Sequence, residues 1–108
     1  ISGGSFYKNG ELRVEYDSHS VFLNEERVHL TKNEFKILNL LCRHAGKVLT
    51  YDFIIKAVWG PRASSNTGIL RVNITNLRKK IEKNPLCPTF VFTENAIGYR
   101  AAENQAIS

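Results

Sequence analysis

"ILRVNITNLRKKIEKN", residues 69–84, decides the fold. On a helical wheel at about 100° per residue, Leu70, Ile74, Leu77 and Ile81 fall in one narrow sector and form a core stripe. Arg71, Val72, Thr75, Asn76, Lys79 and the preceding Gly68 spread over the opposite half. Arg78 lies at the edge of that half beside Glu82, and Asn73 and Lys80 lie on the other flank. The stretch holds five basic residues and one acid. One helix therefore carries both a packing face and a basic outer face.

The outer face has the residue types that a DNA major groove requires. Arg71 can fork onto guanine, and Asn76 can pair with adenine or bond a phosphate. Thr75 offers a hydroxyl and a methyl. Val72 is an apolar residue centred on a polar face, where a thymine methyl would be a fitting partner. Lys79, Arg78, Lys80 and Lys83 sit later and suit phosphates, which position a protein on DNA while base contacts specify sequence. The bland alternative is a solvated basic face. The helix dipole alone accounts for Lys79, Lys80 and Lys83 near a C-terminus, but not for Arg71, Val72 and Thr75.

Upstream, "PRASSNTG" is a polar loop. Before it, Thr50 with Phe53 three residues on reads as the N-cap of a helix "YDFIIKAVWG", with Ile54, Val58 and Ile55 buried and Gly60-Pro61 ending it. "LTKNEFKILNLLCRHAGKV" begins with a capping box, Thr31 and Glu34. Phe35, Leu38, Leu41, Cys42 and Ala45 follow at helical spacing, and Gly46 is expected to close this helix as its C′ residue. "KVLTYD" between the two helices reads as a short extended link, a short strand in the order of elements.

Downstream, the helix should stop near Asn84-Pro85, with the reading helix as a whole spanning about residues 67–84. "TFVFTE" is a β-branched and aromatic strand, "NAIG" a turn and "YRAA" a returning strand. At the other end, "ELRVEYD" alternates Leu12, Val14 and Tyr16 with charged residues, the period of a half-buried strand. Asn9-Gly10 and the Asn24 to Glu26 region mark two hairpin turns. The fold class is α+β: an N-terminal four-stranded antiparallel sheet, three helices and a C-terminal β-hairpin. The last two helices and the hairpin make a winged helix-turn-helix. Residues 1–5 are expected to be a linker remnant, 6–102 the domain and 103–108 a flexible tail.

The chain has 108 residues and a net charge of +5, with 43% hydrophobic residues, as expected of one small domain. Residues 1–30 carry net −2 and residues 31–108 net +7, an asymmetry that favours an anionic partner. Cys42 and Cys87 lack any zinc-ligand spacing, and a reducing, cytoplasmic setting without a disulfide is expected. His19, His29 and His44 show no metal spacing, and no cofactor is expected. "GPRASSNTG" lacks the lysine of a phosphate-binding loop. No nucleophile, base and orienting group assemble from Ser64, Ser65 and the histidines, so an enzyme is not expected. No apolar run reaches membrane-spanning length. Nonspecific RNA binding would call for aromatics on an exposed sheet, whereas Phe90 and Phe92 read as half buried.

"LTKNEFKILNLL", "AGKVLTYDFIIKAVWG", "LRVNITNLRKKIE" and "TENAIGYR" together resemble the C-terminal DNA-binding domain of OmpR/PhoB-type response regulators, over about residues 6–102. Within that family, "VWGP" and "ILRVNITNLRKKIEKNP" look closest to the KdpE branch, which controls potassium-uptake genes. The resemblance implies double-stranded DNA as partner, read as direct-repeat half-sites. It implies an N-terminal receiver domain outside this sequence, a monomeric isolated domain, and a full-length protein that is dimeric on DNA. It also implies that Trp59, Arg71, Val72, Asn73, Thr75, Asn76, Arg78, Thr93, Asn95 and Tyr99 lie at DNA-contacting positions, to which the wheel adds Lys79 and Lys83. Arg78 is the arginine of the LRKK motif. Asn95 stands where some members have a minor-groove arginine, and Tyr51 where some have a phosphate-contacting arginine. Arg100 is either a structural ion-pair partner or a DNA contact. The loop of Pro61, Arg62, Ala63, Ser64, Ser65 and Asn66 matches one that can face RNA polymerase. A protein-interaction module, contacting polymerase or a receiver domain through that loop and the sheet, is the second reading.

Overall fold

Leu12, Val14 and Tyr16 are buried, while Arg13 and Glu15 keep partial exposure, so the period-two segment is a strand with one wet face. The computed structural model describes residues 6–64 and 66–105. Its first element is an antiparallel sheet of β1 (Phe6–Asn9), β2 (Leu12–Glu15), β3 (Ser20–Leu23) and β4 (Glu26–Val28) in that order. Asn24 and Glu25 both have positive φ, as a two-residue hairpin turn between β3 and β4 requires. The first hairpin turns one residue later than expected. Asn9 pairs with Leu12, so the loop is Gly10-Glu11, with Gly10 at φ +55.

Helix α1 (Lys32–Arg43) starts with the expected capping box. The Thr31 side chain accepts from Glu34 N at 3.2 Å, and Glu34 Oε1 accepts from Thr31 N at 3.0 Å. Phe35, Leu38, Leu41 and Cys42 are buried, together with Ile37. The helix ends earlier than expected. His44 is its C-cap, so Ala45 lies outside the helix and Gly46, at φ +84, follows the cap by two residues. Gly46 donates its N–H to Ala101 O at 2.9 Å, which takes it away from helix capping. Helix α2 follows β5 (Leu49–Thr50) directly and runs Tyr51–Trp59, with Ile54, Ile55 and Val58 buried. Thr50 caps it by accepting from Phe53 N at 3.1 Å, and Gly60 ends it at φ +106.

Helix α3 covers Thr67–Ile81 and buries Leu70, Ile74, Leu77 and Ile81, the four residues of the expected stripe. It stops three residues short of Asn84. Glu82 leaves the helix at φ −91, ψ 136, and Lys83 lies beyond the helix rather than in its last turn. The last strands are β6 (Val91–Glu94) and β7 (Gly98–Ala101). They are not a free hairpin, because β5 pairs with β7 and makes a three-stranded sheet in the order β5-β7-β6. The short strand expected between the first two helices is thus present, and its pairing with β7, which was not expected, anchors the root of the wing.

Residues 103–105, expected to be a flexible tail, lie along β1. Gln105 N donates to Lys8 O at 2.6 Å, Asn9 Nδ2 to Glu103 O at 2.8 Å, and Gly10 N to Gln105 Oε1 at 2.8 Å. The tail supplies hydrogen-bond partners that the outer edge of β1 would otherwise find in water. Residues 1–5 and 106–108 lie outside the described residues. One core, from Tyr7 to Ala101, joins both sheets to all three helices.

Candidate nucleic-acid interface

The four buried residues of α3 fix the rotation of the helix, and so fix what faces outward. Arg71, Val72, Thr75, Asn76, Lys79 and Gly68 are all exposed, as the wheel requires. Val72 is 59% exposed and Ile69 48%, so two aliphatic side chains one turn apart stand in water on an otherwise polar surface. Asn73 is half-buried, and its Nδ2 donates to Ile69 O at 2.9 Å. That bond within the helix ties its amide to the helix flank. Asn66 caps α3 by accepting from Gly68 N at 2.8 Å.

Arg78 is not a free surface arginine. Its Nε and Nη2 both donate to Val91 O, at 3.1 and 2.8 Å, and Nη2 also reaches Thr93 Oγ1 at 2.8 Å. The Nη1 nitrogen takes no part in these bonds and is the part left for a ligand. Burial lowers the pKa of Arg78, with the Tyr99 and Glu82 charges working against that shift. A guanidinium nevertheless stays protonated at any ordinary pH. The LRKK arginine thus joins the helix to the first wing strand. Thr93 is exposed but spends its hydroxyl oxygen on the same bond.

Tyr99 is only 5% exposed, so the structure does not present its ring outward as a contact. It meets Tyr51 edge to face at 5.5 Å, and the Arg78 guanidinium lies 5.7 Å from its ring centre. Burial, then the nearby Tyr51 hydroxyl, raise its pKa above the ordinary phenol value, although Arg78 and Arg71 pull the other way. Arg78, Tyr99 and Tyr51 thus form a row from α3 across β7 to the first residue of α2. Arg100 takes the structural option, pairing its Nε with Glu94 Oε2 at 3.0 Å above the Phe92 ring. Phe90 is buried rather than half-buried, while Phe92 is partly covered.

At the wing tip, Asn95, Ala96 and Ile97 are exposed, and Ala96 has φ +63. Trp59 is half-buried and packs against the core. Its indole N–H has no protein partner among the described residues and is not sealed from solvent, so it can still donate outward. Lys83 is exposed beyond the helix end. In the loop after α2, Pro61, Arg62 and Ser64 are exposed and Ala63 turns inward, its carbonyl accepting from Lys56 Nζ at 3.4 Å. Ser65 lies outside the described residues. Among those described, no three His, Cys, Asp or Glu side chains could hold a metal ion, and no helix is long and apolar enough to cross a membrane.

Two buried acids escaped the reading of the sequence as contributors to the site. Glu82, 6% exposed, accepts from Thr89, Phe90 and Val91. Glu34, 3% exposed, accepts from Lys80. The signal for Glu82 was its place four residues after Arg78, on the same helix flank. For Glu34 there was none beyond its capping motif, because Lys80 is distant in sequence.

Comparisons with known proteins converge on one group. The family described as "Transcriptional regulatory protein, C terminal" matches residues 24–101. The KDP operon transcriptional regulatory protein KdpE of Escherichia coli (strain K12) is 40% identical over 93 residues, which are 86% of this chain and 41% of that protein. The chain therefore spans about two fifths of that relative's length. The response regulator DrrB, a Thermotoga maritima OmpR/PhoB homolog, superposes with a TM-score of 0.83 at 33% identity, covering 91% of this chain and 44% of that one. The RstA DNA-binding domain of Klebsiella pneumoniae, crystallised with the RstA box, gives 0.80 at 29% identity and covers 90% and 96%.

Proposed function

Because this chain belongs to the transcriptional regulatory protein C-terminal family, as a DNA-binding effector domain of the OmpR/PhoB response-regulator type, we propose that it reads a specific duplex sequence with α3. The helix lies in the major groove and the wing rests on the adjacent minor groove or backbone. The observation that carries this reading is the outer face of α3, where Arg71, Val72, Thr75, Asn76 and Lys79 are exposed together on a helix that the core holds in place. Arg71 supplies the bidentate donor for guanine, Val72 the apolar contact for a thymine methyl, and Thr75 and Asn76 the hydrogen bonds. Lys79, Lys83, the Trp59 indole and Arg78 Nη1 serve the phosphates, and Asn95 the wing contact.

The intact protein, in this reading, carries a phosphorylatable receiver domain and binds direct-repeat half-sites as a dimer in the bacterial cytoplasm. Its targets in this reading are potassium-uptake genes, a proposal that rests on the likeness of the α3 segment to the KdpE branch. Partner contact is the second role of the loop after α2. With Ala63 turned inward and bonded by Lys56, Pro61, Arg62 and Ser64 are left exposed, where a polymerase surface could meet them.

The test is selection from a randomised duplex pool at two salt concentrations, with Arg71→Ala beside wild type. Enrichment of a short repeated element that the variant loses supports base reading. Salt-sensitive binding with no enriched element would reduce α3 to an electrostatic surface.

A further inference from the structure

In the order β5-β7-β6, no strand among the described residues lies outside β6, and such an edge normally presents unpaired N–H and C=O groups to water. Here the end of α3 fills that place. Glu82 Oε2 accepts from Phe90 N at 3.0 Å and Val91 N at 2.9 Å, and Oε1 accepts from Thr89 N at 2.8 Å and Thr89 Oγ1 at 3.2 Å. One turn earlier, Arg78 Nε and Nη2 donate to Val91 O. An acid and a base, four residues apart and so on one flank, match the N–H and C=O of Val91 as a neighbouring strand would. The acid is the buried member, at 6% exposure, and four bonds converge on its two oxygens.

We propose that Glu82 is a positioning residue that fixes the wing at one height and angle on α3, so that base reading by the helix and backbone contact by the wing are made as one rigid unit. This rests on the DNA-reading role above. Without the Glu82 clamp the outer edge of β6 can tilt on α3, and the wing then misses its phosphates even when the helix is in register. A clamped wing reaches its phosphates only when the helix is in register, so its binding energy counts toward the cognate sequence. Glu82 itself touches no DNA in this scheme. Charge-assisted hydrogen bonds are the strong class, and Glu82→Gln removes the charge while nearly preserving shape. Its amide nitrogen cannot accept, so it faces the N–H groups of Phe90 and Val91 or, flipped, the N–H of Thr89, and at least one of these donors loses its partner.

The experiment uses the duplex recovered from the selection, a scrambled duplex, and versions with single methylphosphonates under the wing or base changes under the helix. Wild type should lose affinity for both kinds of change. Glu82→Gln should bind the cognate duplex roughly tenfold more weakly and keep its full penalty for base changes. It should also become indifferent to the methylphosphonates. A folded Glu82→Gln that keeps its sensitivity under the wing would overturn the proposal. Residual dipolar couplings of the wild-type domain give a second measurement that needs no variant. One alignment tensor should fit α3 and β6–β7 together, and separate tensors would overturn the proposal. A wild type that fails to prefer the cognate duplex would overturn the base-reading role instead, and the couplings would then decide alone whether the wing is held.

Discussion

Lys80 Nζ lies 2.7 Å from Glu34 Oε1, joining the last turn of α3 to the first turn of α1. Three residues two apart at the end of α3 therefore face different tasks. Arg78 and Glu82 hold the wing, and Lys80 on the other flank holds the helix behind. Burial on its own would raise the pKa of the Glu34 carboxyl. The hydrogen bonds from Lys80 and Thr31, and the charge of Lys80, outweigh it and hold the group below its ordinary value. A depressed carboxyl adds stability that is fully present above the unfolded value of about 4.3 and is lost as pH falls through the folded value. In thermal melts across acid pH, Glu34→Gln should melt below wild type at pH 7, and the gap should close on acidification. Lys80→Met should cost about 1 kcal/mol at neutral pH, a modest figure because the ammonium is partly exposed and screened. A gap independent of pH would mean that the carboxyl is not held ionised by this pair.

Gly98 has no room for a side chain. A Cβ there would collide with the Leu49 carbonyl across the β5–β7 pairing, and backbone cannot swing aside. Gly98→Ala should destabilise the domain by roughly 3 kcal/mol, at the upper end for overpacking. Chemical denaturation measures it directly. A loss below about 1 kcal/mol would show that β5 can move away without consequence.

Val72 gives a prediction at the level of one methyl group. Replacing thymine by deoxyuracil at the base pair under Val72 should weaken wild type by about 0.8 kcal/mol, the worth of one buried methylene. The same replacement should leave Val72→Ala unaffected. An equal loss in both proteins would mean that Val72 does not meet the methyl.

The two thiols should differ sharply in reactivity. Cys42 is buried in α1, and burial pushes its thiol far up from the ordinary value, whereas Cys87 is exposed. A native thiol titration at pH 8 should show one fast equivalent, absent in Cys87→Ser, and the second only on denaturation. Two fast equivalents would indicate ready opening of the core around α1.

Most of the fold is legible in the sequence because periodicity carries it. The stripe Leu70, Ile74, Leu77 and Ile81 and the alternation of Leu12, Val14 and Tyr16 report burial directly, and Thr31, Thr50 and Gly60 mark ends by local chemistry. What stayed hidden is nonlocal. β5 is legible as a short extended strand, but at two residues it carries no pattern that names β7 as its partner. Helix propensity continues through Lys83, so local pattern sets the end of α3 too late. Glu82 leaves the helix because three backbone N–H groups of a later segment claim its carboxylate. At the site, exposure on α3 followed from the wheel. The inward turn of Tyr99 and the wing bonds of Arg78 depend on neighbours that no local pattern names.

The fastening of residues 103–105 to β1 bears on the order in which a growing chain can finish folding. Tyr7 Oη donates to Ala102 O, Lys8 N to Asn104 Oδ1 and Asn9 Nδ2 to Glu103 O, contacts that span 94–96 residues. A ribosome adding about 5–20 residues per second delivers those partners roughly 5–20 s after β1 itself. Contacts of such separation are the slow ones to form. Within this domain β1 is therefore among the last strands to be completed although it is made before the others, and its edge stays open to stray pairing until residues 102–105 emerge.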